Sequence, residues 1–166
     1  MSEKMFTSVA QIGIVVRDAA ASASHYQTLL GIKEWHFNHV DTKNGIGKKF
    51  HTRKRAIDAK AKIAWAHLGG VEIELIEPLD TDSIYAEHLK ENGPGLHHIM
   101  FETSDYEQSR LHMANNDIAE MAGGELQATR FTMLETREQL GMLCEIAEGG
   151  LLVPDSVMKA SALKKS

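Results

Sequence analysis

Four polar side chains, spread over both halves of the sequence, are of the types that bind divalent metal ions. They are an amide, two carboxylates and an imidazole: Gln11, Glu74, Glu145 and His98. Oxygen and nitrogen donors of this kind suit a first-row ion that keeps positions open for substrate or water. Taken singly, each residue has a simpler explanation, because a strand Gln or Glu is usually exposed and a His after a turn is usually structural.

An internal repeat links the four positions. Adding 87 to the residue number carries Gln11 to His98, and adding 71 carries Glu74 to Glu145. The two offsets differ by 16, which fits an insertion in the first half, and segment 39–60 is the obvious place for it. Four polar residues at equivalent positions of a twofold repeat are hard to attribute to chance. We therefore predict one metal site with all four residues as ligands.

The second half of the repeat opens on the hinge Gly93-Pro94-Gly95, which two adjacent histidines follow. Proline lacks an N–H and glycine accepts unusual backbone angles, so regular structure restarts after this hinge. Successive strand side chains point to opposite faces, so only one of His97 and His98 faces a cavity. The repeat pairs His98 with Gln11 and so favours the second histidine.

Periodicity and capping signals give the elements that must position these residues. We predict strands over residues 9–16, 32–38, 62–68, 71–78, 98–103, 129–134 and 142–147, a hairpin turn at Gly69-Gly70, and helices after the N-caps Asp18 and Asp105 and over 83–92. For the tail we expect either a helix behind Pro154 or a frayed end. In the first helix we expect the buried stripe Ala19, Ala23, Tyr26 and Leu30.

The predicted fold class is α+β, with two β-α-β-β-β modules related by pseudo-twofold symmetry. Together they form a curved sheet around a metal cleft. We expect one domain over 1–166, made of module one at about 8–78, a linker at 79–95, module two at about 96–148 and a tail at 149–166.

Segment 39–60 is basic and shows little periodicity. Its lysine and arginine residues are Lys43, Lys48, Lys49, Arg53, Lys54, Arg55 and Lys60. We predict a loop, which at this length is unusual for a plain connection. A solvated basic loop and a lid that attracts an anionic substrate both fit the composition.

The composition of the chain limits the classes of protein to which it can belong. The 166 residues are 43% hydrophobic and carry a formal charge of −5, which disfavours a nucleic-acid-binding protein. The lone Cys144 cannot form an internal disulfide, and the first residues lack the apolar core of a secretory signal. No run approaches the ~18 apolar residues of a membrane helix. We expect a soluble cytoplasmic protein with neither a nucleic acid nor a membrane as partner.

Several stretches resemble the vicinal oxygen chelate superfamily, which contains glyoxalase I, methylmalonyl-CoA epimerases, extradiol dioxygenases and bleomycin-resistance proteins. They are Gln11-Ile12-Gly13-Ile14-Val15-Val16, the helix end Tyr26 to Gly31, Glu72-Ile73-Glu74-Leu75-Ile76-Glu77-Pro78, Gly93-Pro94-Gly95-Leu96-His97-His98-Ile99 and Gly141-Met142-Leu143-Cys144-Glu145-Ile146. The resemblance covers about Val9 to Glu148 and is strongest to the epimerases. It implies that His98 is the ligand and that His97 packs or hydrogen-bonds behind it.

Two departures separate this chain from the epimerase pattern. Epimerases usually carry His where this sequence has Gln11, whereas some glyoxalase I enzymes have Gln there and share the set Gln, Glu, His, Glu. The stretch Phe131 to Thr136 replaces the epimerase turn before the last strand, and segment 39–60 has no clear counterpart. The resemblance therefore carries over the fold and the metal site but not the identity of the substrate.

A site of this kind suits proton abstraction next to a carbonyl, because a chelated metal stabilises the enediolate that forms. We predict Glu145 as the catalytic base, with Glu74 as the alternative by symmetry and as its counterpart on the opposite face. Glu72 shares the strand face of Glu74, but we expect it to be a solvent-exposed glutamate.

The leading functional prediction is a metal-dependent isomerase or epimerase that acts on a 2-substituted acyl-CoA or a similar small anionic carbonyl compound. One alternative is a glyoxalase I-like lyase acting on a glutathione hemithioacetal, and another is a non-catalytic small-molecule binding protein of the bleomycin-resistance type. A ring-cleaving dioxygenase is disfavoured, because its iron site takes two histidines. We expect a divalent ion as the cofactor, namely Zn, Co, Ni, Mn or Fe. Members of the superfamily often form homodimers, so the resemblance implies a homodimer here.

Overall fold

The structure is a computed structural model that describes residues 4–150 and 152–163. Within these residues the strands are β1 Phe6–Val15, β2 His36–Asp41, β3 Lys48–Thr52, β4 Arg55–Ala56, β5 Lys60–Leu68, β6 Val71–Pro78, β7 Gly95–Thr103, β8 Glu120–Leu126, β9 Thr129–Leu134 and β10 Leu143–Gly149. The helices are α1 Ala19–Leu30, α2 Ile84–Asn92, α3 Tyr106–Asn115, α4 Arg137–Leu140 and α5 Asp155–Leu163.

All ten strands join in one sheet of order β2-β5-β6-β1-β7-β10-β9-β8-β3-β4. The run β2-β5-β6-β1 is mirrored by β8-β9-β10-β7, and the two halves meet where β1 pairs antiparallel with β7. The registers repeat as well: Gly13 lies opposite Glu74 in the first half, and Met100 lies opposite Glu145 in the second. Both pairs obey the offsets 87 and 71, so the predicted α+β fold of two pseudo-symmetric modules is confirmed. The exact division of the chain into modules, linker and tail stays a prediction.

Each module covers one face of its strands with a helix and leaves the other face to the cleft. In β6, Ile73 and Leu75 pack toward α1, whereas Glu74 and Ile76 line the opposite face. In module two, Tyr106 of α3 packs in the same way on residues of β9 and β10. Strand alternation therefore sends apolar side chains to the helices and the predicted site residues to the cleft.

The two capped helices begin as predicted. The Asp18 carboxylate accepts a hydrogen bond from the Ala21 backbone N–H at 2.8 Å, and Asp105 accepts one from Gln108 at 2.9 Å. The predicted buried stripe of α1 is wrong at its end, because Leu30 is 65% exposed. The helix ends at Leu30, with Gly31 as its C-cap.

Segment 39–60 is not a loop, which corrects the sequence-based prediction. Strand β2 runs on to Asp41, and β3 and β4 form a hairpin. Strand β3 pairs antiparallel with β8, so this part of module one extends the sheet of module two. The charged residues of β3 and a register irregularity between Lys48 and His51 hide the alternation that identifies a strand, and within β3 only Phe50 is a buried hydrophobic residue.

The C-terminal segment forms a helix behind Pro154, the first of the two expected alternatives, and is fastened to both modules. Asn38 of β2 donates to the Val153 carbonyl at 2.8 Å, and Gln127 of the β8–β9 turn exchanges two hydrogen bonds of 2.8 Å with the Val153 backbone. The last three residues of the predicted tail lie outside the described residues. Within the described part of the chain, none of the helices has the length and hydrophobicity of a membrane span.

Asn38 is fully buried, and we expect Asn38→Ala to destabilise the protein by about 2 to 3 kcal/mol. The substitution removes the bond to Val153 and leaves the Trp65 indole N–H, which now donates to Asn38 Oδ1 at 2.9 Å, without a partner. Urea unfolding checks the free energy. Asn44→Ala, at an exposed turn residue, is the control and should stay within about 0.5 kcal/mol of wild type. Equal stability of the two variants would contradict the role of Asn38.

Candidate active site

The four predicted site residues come together on the four central strands. Gln11 lies on β1, Glu74 on β6, His98 on β7 and Glu145 on β10, and none is more than 7% exposed. His98 Nε2 lies 2.8 Å from Glu145 Oε2, 3.3 Å from Gln11 Oε1 and 3.8 Å from Glu74 Oε2. The imidazole therefore stands among the oxygens of the other three residues.

Gly13 makes room for the His98 ring. It pairs with His98 across the β1–β7 junction, and a Cβ at this position would stand 1.9 to 2.5 Å from three atoms of the imidazole. Those distances are far below van der Waals contact, so any side chain here displaces the ring. A glycine in a strand interior often marks such a close approach.

His97 packs and hydrogen-bonds behind His98, as the resemblance implied. The two Nδ1 atoms are 3.0 Å apart, and the His97 ring also bonds to the backbone of Ile84. Burial, with the neighbouring His98 and His88, lowers the pKa of His97 to about 2, so this ring is neutral. The hydrogen bond to the Ile84 backbone opposes this shift.

The contact between the two Nδ1 atoms orients the ring of His98, because one nitrogen donates an N–H to the other. His98 Nε2 faces oxygen atoms of Gln11, Glu74 and Glu145. A partner at Nδ1 that orients the ring is usual for a histidine that binds a metal ion through Nε2.

The charge of the cluster also suits a cation. The pKa of Glu74 is raised well above its usual value by burial, and further by the charges of Glu145 and Glu72. Burial raises the pKa of Glu72 as well, although the hydrogen bond from Gln11 opposes this shift. In their charged forms the three carboxylates would repel one another in this buried place, and a divalent ion would relieve that repulsion.

The donor types fit a divalent ion, but the side chains do not already enclose one. Within residues 4–150 and 152–163, no three His, Cys, Asp or Glu side chains are arranged as a ready metal site. His98 and Glu145 instead contact each other directly. Rotation of the two glutamate side chains would be needed to turn their oxygens toward one point beside His98 Nε2.

Glu72 is not the solvent-exposed residue that the sequence suggested. It is largely buried at its carboxylate, which accepts a hydrogen bond from Gln11 Nε2 at 2.7 Å. This bond holds the Gln11 amide with its oxygen toward His98. The register of β1 with β6 identifies Glu72 as a residue of the site, since it places Glu72 opposite Gln11.

Tyr85 borders the site and was missed by the sequence reasoning. It lies on α2, and its ring centroid is 4.9 Å from that of His97 and 6.4 Å from that of His98. Burial, followed by the charges of Glu145 and Glu74, raises its pKa well above the usual value, so the phenol stays neutral. Because α2 lies between the repeated modules, no symmetry argument pointed to this residue.

A cavity of about 160 Å³ begins at the acidic cluster, by which we mean the carboxylates of Glu72, Glu74 and Glu145. Gln11, Glu72, Glu74 and Glu145 line one end together with Tyr85, and the remaining lining residues are mostly apolar. The cluster is thus reached by a small molecule from one side, while His98 stays fully buried beneath it.

The basic residues of segment 39–60 do not enter this cavity. Five of the seven are ion-paired with acidic residues of the chain: Lys43 with Asp58, Lys49 with Glu125, Arg53 with Glu87, Arg55 with Asp82 and Lys60 with Asp41. Their charge is already balanced locally, which weakens the expectation of a basic lid for an anionic substrate.

Residues 10–132 match the model of a family described as the Glyoxalase/Bleomycin resistance protein/Dioxygenase superfamily. A curated relative, the uncharacterized protein YqjC of Bacillus subtilis (strain 168), is 26% identical over 140 residues, which span 82% of this chain and 89% of that protein. The match confirms the superfamily resemblance.

Solved structures share the fold. The hypothetical protein BH1468 from Bacillus halodurans C-125 has a TM-score of 0.68 at 21% identity, covering 89% of this chain and 98% of that one. Methylmalonyl-CoA epimerase from Mycobacterium tuberculosis has a TM-score of 0.67 at 19% identity, covering 98% and 96%. A single-residue variant of the Streptomyces coelicolor epimerase, in complex with 2-nitronate-propionyl-CoA, has a TM-score of 0.64 at 22% identity, covering 88% and 99%.

We expect Gly13→Ala to destabilise the protein by about 1 to 3 kcal/mol, because the new methyl group overlaps the His98 ring. The imidazole must move away from Gln11 and Glu145, so its ring ¹⁵N resonances should shift. Gly70→Ala is the matched control, since a Cβ there meets nothing within 4 Å. Unchanged His98 resonances in Gly13→Ala would contradict the close approach.

Proposed function

The chain belongs to the glyoxalase/bleomycin resistance protein/dioxygenase superfamily, and from this premise we propose that it is a metal-dependent isomerase or epimerase that removes a proton next to a carbonyl. One observation carries the proposal. Gln11, Glu74, His98 and Glu145 converge at one end of a small cavity, with an imidazole nitrogen that faces oxygen atoms of the other three residues.

In this proposal the ligands of the ion are Gln11 Oε1, His98 Nε2 and the carboxylates of Glu74 and Glu145. When bound, a divalent ion supplies Lewis-acid stabilisation of the enediolate that forms as the proton leaves. Zn, Co, Ni, Mn and Fe all accept this mixed donor set.

Glu145 takes the role of the base. Its carboxylate borders the cavity and belongs to module two, so it approaches a bound carbonyl compound from the β10 side. Glu74 borders the same cavity from β6 of module one. Two carboxylates related by the pseudo-twofold axis serve the two faces of a carbon, which is what epimerisation requires.

Further residues support these roles. Glu72 holds the Gln11 amide through the bond at 2.7 Å, and His97 holds the His98 ring through the Nδ1 contact at 3.0 Å. Tyr85 stays neutral beside the carboxylates and can donate a hydrogen bond to a substrate oxygen. Its phenol would stabilise the charge that develops on that oxygen.

The substrate in this proposal is a small anionic carbonyl compound. The epimerase structures with the same fold include one in complex with 2-nitronate-propionyl-CoA and one with methylmalonyl-CoA, which supports an acyl-CoA as one candidate. Gln11 supports a second candidate function, a glyoxalase I-like lyase acting on a glutathione hemithioacetal, because its amide oxygen faces His98 at 3.3 Å.

We further propose a homodimer in a reducing, cytoplasmic setting. Apolar side chains exposed on the outer helices support self-association, among them Leu29 at 78% and Leu111 at 61%. The free Cys144 is buried, which agrees with a chain that forms no disulfide of its own.

Exchange of solvent deuterium into the carbon next to the carbonyl tests the reaction. With added metal, and with methylmalonyl-CoA, the hemithioacetal of methylglyoxal and glutathione, and phenylpyruvate as substrates, we expect exchange into at least one. Glu145→Gln should lower its rate at least 100-fold, because the amide cannot accept the proton. Glu138→Gln, an exposed residue of α4, is the control and should stay within twofold. The lack of exchange for all three compounds would contradict the proposed reaction.

Metal analysis tests the ligand set separately. We expect one divalent ion per chain and a higher melting temperature in its presence, because an ion that binds only the folded state stabilises it. His98→Ala should weaken binding at least tenfold, whereas His25→Ala, on the exposed side of α1, should not change it. Calorimetric titration of the two metal-free variants measures their dissociation constants for the ion. Equal affinity of the two variants would falsify the assignment of His98 as a metal ligand.

A further inference from the structure

The cavity extends from the acidic cluster into an apolar end. Its walls there are aliphatic and aromatic side chains, each no more than 9% exposed: Val40, Phe50, Ile63, Ile76, Leu126 and Phe131. They belong to strands of both modules. The chemistry proposed for the acidic cluster does not use this end of the cavity, since none of these apolar side chains can bind an ion or move a proton.

Strand β3 builds one wall of the apolar end. The rings of Phe50 and Phe131 pack edge to face, with centroids 5.3 Å apart. Gly124 on β8 leaves space for this contact, because a Cβ there would stand 2.6 Å from the Phe50 ring. The segment that the sequence suggested as a basic lid therefore contributes an apolar wall inside and ion-paired lysines outside.

The C-terminal segment contributes to the apolar end of the cavity. Leu152 lines the cavity, and the next residue, Val153, is held by Asn38 from β2 and by Gln127 from the β8–β9 turn. These anchors lie on opposite modules, so both modules hold Leu152 in place beside the cavity.

Size limits what the pocket can hold. The whole cavity measures about 160 Å³, and an apolar cavity of about 150 Å³ is known to bind one benzene molecule. The apolar end is only part of that volume, so it holds at most a compact group of about six heavy atoms and excludes a long acyl chain.

Charge limits the ligand further. Among the described residues that line the cavity there is no lysine, arginine or histidine, and four are acidic: Glu72, Glu74, Asp80 and Glu145. The nearby cations of segment 39–60 already pair with carboxylates. Phosphate groups would find no counter-charge inside the cavity.

We propose that this apolar end is a specificity subsite for a compact apolar group of about benzene size, carried by a small carbonyl acid without phosphate groups. The apolar group lies between Phe50, Ile63 and Phe131, and the carbonyl oxygens point toward Gln11 and Glu145. The orientation of the oxygens rests on the proposed function, whereas the apolar subsite does not.

Toluene is the first probe, because it has no oxygen and requires neither metal nor catalysis. In ¹H–¹⁵N NMR titrations of the full chain, we expect saturable shifts at the amides of Ile63 and Phe131. Ala61→Leu, which adds a side chain to the cavity wall, should weaken toluene binding at least tenfold. Leu68→Ala, at an exposed site on β5, is the control and should leave it unchanged. Toluene that does not bind, or that binds both variants alike, overturns the subsite whatever the deuterium-exchange result.

Leu126→Ala tests the same subsite in the opposite direction. The smaller side chain enlarges the cavity, so naphthalene should bind this variant at least tenfold more tightly than it binds wild type. This result does not depend on whether Ala61→Leu folds. An unchanged naphthalene affinity in folded Leu126→Ala contradicts the proposal.

Phenylpyruvate, pyruvate and propionyl-CoA then separate the substrate classes in the presence of Zn²⁺. We expect phenylpyruvate to bind at least tenfold more tightly than pyruvate, since only its ring buries apolar surface. Propionyl-CoA should bind more weakly than phenylpyruvate. Tighter binding of propionyl-CoA, lost at high salt, would show a phosphate site and overturn the phosphate-free class.

Discussion

The antiparallel pairing of β1 with β7 is the contact on which the rest of the structure depends. It joins the two modules, and its register places His98 directly over Gly13. The parallel partners β6 and β10 flank this pair, so Glu74 and Glu145 reach the same place from opposite sides. A one-residue slip at the junction would turn His98 to the other face and separate all four side chains.

Burial of charge is the cost of this arrangement. Carboxylates taken out of water repel one another and favour protonation, as the raised pKa of Glu74 reflects. Neighbouring groups restrain them: Glu72 bonds to Gln11, and the neutral His97 fixes the ring of His98. Such a cluster has little use as a structural core, where apolar side chains would pack more favourably. Its accessibility through a cavity is what makes it a candidate for chemistry.

The two segments that depart from the repeat add apolar walls to the cavity of a symmetric sheet. Strand β3 leaves module one and adds its Phe50 ring beside Phe131 of module two. The segment around Val153 ties β2 to the β8–β9 turn. The repeat supplies the reactive end, and the non-repeated parts supply the shape and polarity of the other end. Relatives with the same fold can therefore differ in substrate without differing in their central strands.

The sequence by itself determined the repeat, the α+β class, the helix caps and the four residues that converge, because strand alternation and equal spacing in two halves are local patterns. It could not place Glu72 or Tyr85, whose roles depend on a partner strand and on a helix outside the repeat. It also misjudged segment 39–60, since the pairing of β3 with β8 joins residues about 70 positions apart. Only the tertiary structure decided that cross-module contact, and with it the apolar end of the cavity, because local sequence does not encode which distant edge a short charged strand will meet.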